Sequence, residues 1–296
     1  MSIKEHPPLH VPVLLDDVLA LLNPIKGESY LDFTAGYGGH ARAIFDKTSN
    51  YRESYLVDQD EMTKNHLTDL VERGATLLQT DFVTAARSLI EERKQFSLIL
   101  LDLGVSSPQL DRAERGFSFT YDGPLDMRMD RRKKLTAESL VNSRKRDELF
   151  RIIRDYGEEP TGAAKRYAEA ITKGRPFRTT KQLADAILDA HVGRWQKTHP
   201  ATRTFQAIRI AVNDELSQVE AVMPLLARLL KPGGRVAVIS FHSLEDRIVK
   251  RYFNEQRDAG LESEFTLLTK KPIRGDINDV HNPRSRSAKL RVAVKK

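Results

Sequence analysis

Apolar positions along the chain follow two rhythms. Val13–Leu22 has the amphipathic spacing of a short helix and stops at Asn23-Pro24. Beyond it, Ser29–Phe33, Tyr55–Asp58, Ala75–Gln79 and Ser97–Leu101 read as strands. Between them, Arg42–Lys47, Glu61–Arg73 and Val83–Lys94 read as helices. Strands separated by helical stretches predict repeated β-α-β units and a mostly parallel sheet. The run from Phe96 to Leu101 is apolar at every position except Ser97, as expected of a strand covered on both faces.

After Asp102 the alternation stops for about a hundred residues. Helical patterns recur at Thr136–Val141, Asp147–Asp155, Ala163–Thr172 and Thr180–His191, with no convincing strand. The α/β rhythm returns with a helix over Glu215–Leu230, a turn at Lys231-Pro232-Gly233-Gly234, a strand over Arg235–Ser240 and a helix over Leu244–Gln256. Phe265–Thr269 and Lys289–Val294 read as two further strands. The pattern predicts one Rossmann-like α/β domain, residues 1–110 with 215–296, interrupted by an all-helical insert, residues 111–214.

Composition narrows the chemistry. With 40% hydrophobic residues in 296, the chain can bury a sizeable core. Its first fifteen residues are too polar for a signal peptide and no apolar run suits a membrane span, so a cytoplasmic protein with no membrane association is expected. There is no cysteine, which excludes disulfides, thiolate metal sites and a thiol nucleophile. His10, His191 and His199 lack metal-ligand spacing, and no metal is expected. Charge is uneven. Residues 1–110 are net −6, residues 111–214 carry 22 Lys/Arg against 15 Asp/Glu, and residues 270–296 carry 9 against 2. Two blocks of +7 point to a polyanion. Arg131-Arg132-Lys133-Lys134 and Arg144-Lys145-Arg146 also suit solvated helix ends.

In an open α/β sheet, ligands bind beyond the carboxyl ends of the strands. The first strand runs into Asp32-Phe33-Thr34-Ala35-Gly36-Tyr37-Gly38-Gly39-His40, whose glycines permit close backbone approach at a helix start. The spacing Gly-x-Gly-Gly departs from the dinucleotide signature at its third glycine. The second strand ends in Asp58, suited to two ribose hydroxyls or to capping a helix. The third leads to Asp81-Phe82, suited to an adenine or to a cap and a core ring. The fourth ends in Asp102, before Gly104-Val105-Ser106-Ser107-Pro108-Gln109, where a buried acid and a polar turn form a candidate reactive centre. Together the four ends outline an adenosine pocket.

Longer stretches carry more information. They are Gly36–His40, Leu101–Gln109, Glu114–Phe119, Asp122–Asp130, His199–Ala207, Ser240–Arg247 and Asn282–Ser287. Through these the chain resembles, nearly end to end, the bacterial 16S ribosomal RNA cytosine-N(4) methyltransferase family. The resemblance implies a class I methyltransferase domain with S-adenosylmethionine as donor and S-adenosylhomocysteine as product. It implies a decoding-site cytosine of 16S rRNA as acceptor; the RNA is expected within the small ribosomal subunit, and the enzyme as a monomer or homodimer. It further implies that Gly38, Gly39, His40, Asp58, Phe82, Asp102 and Gln109 line the donor site. Phe33 stands where the family commonly has a small residue.

Methylation of cytosine carbon 5 normally recruits a cysteine, absent here. An exocyclic amine needs only its lone pair freed and aimed, and its proton removed. Asp102 is the first candidate acceptor, assisted by Ser106 and Ser107. Asp102 equally suits a donor ligand alone, and the serines an ordinary turn. His242 suits a proton relay, or a ring satisfied by neighbouring backbone. Phe117 and Phe119 suit either base stacking or a core. Arg203, Arg209, Arg284 and Arg286, with the run 131–134, are candidate phosphate contacts. The insert, leaving the α/β domain just past Asp102, is expected to overhang the reactive end and grip the RNA. A DNA amino-methyltransferase usually carries a Pro-Pro-aromatic motif after the fourth strand, which this chain lacks. A nicotinamide oxidoreductase leaves the third glycine unexplained, and a non-catalytic rRNA-binding factor leaves the pocket unexplained.

Overall fold

A computed structural model describes residues 12–194 and 198–296, so His10 lies outside the described residues. The chain divides into two compact units, residues 1–104 with 216–296, and residues 105–215. The first handover falls six residues before the expected one, because the turn after the fourth strand already forms a helix, Ser107–Asp111, grouped with the second unit.

The first unit is built on one sheet. Its strands are β1 (Tyr30–Asp32), β2 (Tyr55–Val57), β3 (Thr76–Leu78), β4 (Phe96–Asp102), β5 (Leu230–Ser240), β6 (Phe265–Leu267), β7 (Ile273–Arg274) and β8 (Lys289–Lys295). They lie in the order β3-β2-β1-β4-β5-β8-β6, with β7 also on β8. The first five are mutually parallel, and β8 runs antiparallel to β5, β6 and β7. Alternate residues feed two apolar layers. Leu31, Ile99, Leu101, Val236 and Val238 face one, and Tyr30, Leu98, Leu100, Ala237 and Ile239 the other. Residues Leu98 to Leu101 are wholly buried, hence the unbroken apolar run.

Three predicted elements differ, and one strand was not predicted. Glu61–Arg73 forms a 3-10 turn, Glu61–His66, and a short helix, Thr68–Glu72. Asp60, Thr63 and Thr68 hydrogen-bond nearby backbone and compete with a continuous helix. The helix expected over Glu215–Leu230 breaks into Glu215–Val222, a 3-10 turn Met223–Leu225 and Leu226–Leu229, since Pro224 has no N–H to donate. The predicted turn at 231–234 is a bulge inside β5: Phe96 pairs with Leu230 and Leu98 with Arg235, and Gly233 takes a φ of 74°. The two-residue β7 has no sequence signal.

The second unit packs helices Ala137–Ser143, Arg146–Gly157, Thr161–Gly174, Thr180–Asp189 and Ala201–Asn213 around Leu140, Leu149, Ile153, Tyr167, Ile171, Leu183, Phe205 and Ile208. A single bridge, Pro124 to Thr179, is the only β pairing among its described residues. Helix Ala201–Asn213 was not predicted. Its last residue, buried Asn213, accepts the Met129 N–H and donates to Met127 O, pinning the preceding loop. Among the described residues, no helix is long and apolar enough to cross a membrane.

Candidate active site

β1 lies between β2 and β4, so the chain winds away from it in both directions, and in open α/β sheets such a switch point is where ligands bind. The loop leaving β1 takes positive φ at Gly36 (52°) and Gly38 (79°) before helix Gly39–Thr48. A Cβ on Gly38 would run into the Arg42 guanidinium, and one on Gly39 would stand 2.5 Å from Pro12 Cγ. Arg42 braces the loop, donating to Tyr37 O, His66 O and the Asp69 carboxylate, each at 2.6 Å.

Asp58 lies one residue past β2. Its Oδ2 accepts the Gly36 N–H and its Oδ1 the Asp60 N–H, both at 2.8 Å. The carboxylate therefore shapes the glycine loop, and each oxygen retains acceptor capacity for a hydroxyl. Capping falls instead to Asp60, which accepts from Met62 N–H. Burial pushes Asp58 up to about 7, against the pull of its two amide donors. At β3, Asp81 caps helix Phe82–Glu91 through the N–H groups of Val83 and Thr84, which is the structural one of its two readings. Phe82 is half-buried and meets Phe33 edge-on at 6.4 Å. Phe33 itself is buried in the core, where its size occupies the sheet's apolar layer.

Asp102 closes β4. Its side chain is 23% exposed, and Oδ2 stands 3.7 Å from His40 Nδ1. Its Oδ1 is buried and receives no hydrogen bond, an acceptor of the kind that the ammonium of a methionyl group would satisfy. His40 Nε2 faces Val13 O at 3.0 Å, which fixes the ring between the N-terminal segment and Asp102. Burial, then the charges of Asp32 and Glu245, raise Asp102 well above the ordinary carboxylate range.

Asp32 was quoted in the sequence only as the end of the first strand and was given no role. It is buried at the end of β1, accepts the Tyr30 hydroxyl at 2.7 Å and the Thr34 N–H at 3.0 Å, and burial raises it to about 6. The only signal was position: an acid closing an apolar strand directly before a glycine loop.

His242 forms the N-cap of helix Ser243–Asp258, its Nδ1 facing the Glu245 N–H at 3.4 Å. Glu245 in return accepts the N–H groups of Phe241 (2.8 Å) and His242 (3.3 Å). Only one ring nitrogen meets the backbone: Nε2 is buried, has no hydrogen-bond partner among the described residues and stands 3.2 Å from Glu245 Oε1, so a relay through this ring stays open.

Other predicted residues fall in the second unit. The Ser106 N–H donates to Gln109 Oε1 at 3.0 Å in a reciprocal cap of helix Ser107–Asp111. Phe117 is buried in the helical core, and Phe119 packs on Phe205 and His199 with centroids at 4.7 and 4.9 Å. Arg209 corrects an expectation. It holds Glu215 through two bonds of 2.9 Å with only 15% of its side chain exposed, so it is a structural ion pair and not a phosphate contact. Arg132 also pairs with Asp130 at 2.8 Å, with 54% of its side chain still exposed. Arg131, Lys134 and Arg203 are exposed, and Lys133 is half-buried. In the first unit, Arg284 and Arg286 are exposed on the 3-10 turn Pro283–Ser287, which is held by Asn282 Oδ1 on the Arg284 N–H and by buried Ser285 bonded to Asp279.

The MraW methylase family matches residues 8–296. A protein of Heliobacterium modesticaldum named ribosomal RNA small subunit methyltransferase H is 44% identical, covering 97% of this chain and 98% of that one. Proteins of the same name from Lawsonia intracellularis (43%; 97% and 99%) and a Geobacter species (46%; 97% and 98%) are similar to the same extent. With a match running from residue 8 to the last residue, and with strand-end acids around a glycine loop at the switch point, the chain belongs to the MraW methylase family.

Proposed function

We propose that the protein transfers a methyl group from S-adenosylmethionine to the exocyclic N(4) amine of a decoding-site cytosine in 16S rRNA. Asp102 carries the reading: a carboxyl at the switch point whose buried Oδ1 has no partner among the described residues. Full-length relatives named as small-subunit rRNA methyltransferases support the RNA substrate. S-adenosylmethionine supplies an electrophilic methyl group on a sulfonium.

The rest is the work of the chain's own residues. Asp58 holds the glycine loop and offers acceptor positions to two ribose hydroxyls. Gly38 and Gly39 keep the loop free of side chains where a Cβ has no room. Asp102, once ionised, accepts a hydrogen bond from the target amine, favours its pyramidal form and takes the proton released. A cationic neighbour lowers its pKa toward ionisation, so donor binding readies the base. No covalent step is required, consistent with a chain lacking cysteine.

The test is tritiated methyl transfer to naked 16S rRNA, 30S and 70S particles, with nucleoside analysis of the product. N(4)-methylcytidine is expected, and Asp102→Asn should lower turnover at least a hundredfold, as loss of a general base does. Label on ring carbon 5 or on another base overturns the reading.

A further inference from the structure

The β1–β4 ladder ends with Asp32 opposite Leu100, and the Phe33 N–H reaches Leu100 O at 3.0 Å. One step on, the strands part. The next amide pointing toward β1, that of Asp102, has passed the last backbone carbonyl of the ladder. It donates instead to the Thr34 hydroxyl oxygen at 2.6 Å. Thr34 is tied at its other end, its N–H to Asp32 Oδ1 at 3.0 Å and its hydroxyl toward the same oxygen at 3.5 Å. On the far side, the Leu103 N–H is held by Ile239 O at 3.0 Å. One side chain thus substitutes for a rung of backbone at the point where the strands part. The backbone of the reacting acid is clamped between β1 and β5.

We propose that Thr34 is a positioning residue for methyl transfer, acting through Asp102 by fixing the backbone from which its carboxyl projects. The proposal rests on Asp102 being the acid of the reaction. Without the hydroxyl acceptor, the Asp102 amide would be left unpaired and the strand end would shift to find water, misaligning the carboxyl by a fraction of an ångström.

The experiment compares Thr34→Val, Thr34→Ser, Asp102→Asn and the double variant Thr34→Val/Asp102→Asn in steady-state and single-turnover methyl transfer, beside S-adenosylhomocysteine titration and thermal unfolding. Valine keeps the shape and removes the acceptor, whereas serine keeps the acceptor. Thr34→Val should lower kcat by about tenfold or more, the scale of one misplaced catalytic group. The Michaelis constant for RNA should move by less than about threefold, because an effect confined to the reacting acid appears in turnover. Thr34→Ser should restore most of the rate. In the Asp102→Asn background, Thr34→Val should cost little further, since both changes then act on one group. A wild-type rate in Thr34→Val, a serine variant as slow as valine, or fully additive losses would each overturn the proposal. The wild-type arm separates the two readings: a wild type that transfers no methyl overturns the methyltransferase function and the proposal with it. An active wild type with an additive cycle overturns the role of Thr34 alone.

Discussion

Asp32, Asp58 and Asp102 all carry carboxyls pushed upward, chiefly by burial, with Asp32 at about 6 and Asp58 at about 7. Each folded value lies above its unfolded one. Folding therefore takes up protons, and the stabilisation this gives at low pH is lost as pH rises through the folded values. On the proposed function, donor binding has the opposite sign, because ribose hydroxyls and a cationic ligand favour the ionised acids. Affinity for S-adenosylhomocysteine should fall on going from pH 8 to pH 6, by up to about tenfold per pH unit for each proton that must leave. Asp58→Asn should bind more weakly and show a flatter pH dependence. Calorimetric titration at the two pH values checks both, and equal wild-type affinities would remove Asp58 from the donor site. That an acid stood at each strand end was legible from the sequence. That Asp58 also holds Gly36, or that Thr34 meets the Asp102 amide, was not, because those contacts join residues 22 and 68 positions apart.

The parallel strands β1 to β5 could be read from sequence because burial on two faces leaves a continuous apolar signature. Helix Ala201–Asn213 could not: Thr202, Arg203, Thr204, Gln206 and Arg209 dilute its apolar stripe of Phe205, Ile208 and Val212. Its buried Asn213 looks polar until its partners in the 127–129 loop are known. Gly39 offers a test at the level of one element. It occupies the first turn of helix Gly39–Thr48 with an ordinary φ, so alanine there meets no backbone strain. The obstacle is Pro12, and displacing it drags on Val13, whose carbonyl faces the His40 ring. Gly39→Ala should cost about 1–3 kcal/mol, as overpacking does. It should also weaken donor binding, measured by chemical denaturation and titration on the same sample. An alanine variant as stable and as tight-binding as wild type would show that the N-terminal segment has no part in shaping the loop.

At the scale of the whole molecule, Arg209 is held in a largely buried ion pair, whereas Arg131, Arg132, Lys134, Arg203, Arg284 and Arg286 are exposed, Arg132 beside Asp130. RNA affinity should therefore fall with salt, each phosphate contact contributing roughly 0.7 to 0.9 of the log–log slope. Reversing Arg131, Lys133 and Lys134 to glutamate should flatten the slope and leave donor affinity unchanged. Filter binding across a salt series decides the matter, and an unchanged slope would place the RNA on Arg284 and Arg286 instead.

The pairing of β4 with β5 has a kinetic side. The strands are neighbours in the sheet, yet Asp102 and Leu230 are separated by the entire second unit. During synthesis, β4 emerges with its outer edge unpaired, and at roughly 5–20 residues per second the partner follows only after many seconds. For that interval Leu98 to Leu101, wholly buried in the finished protein, present an apolar strand edge to anything nearby. The helices of residues 105–215 make mostly local contacts and can fold meanwhile. Nascent chains arrested near residue 215 should thus resist limited proteolysis within the helical unit while remaining cleavable before Gly104. Protection of both regions at that length would mean that the half-sheet stands without β5. In this arrangement, the strand that ends in Asp102 waits longest for its neighbour.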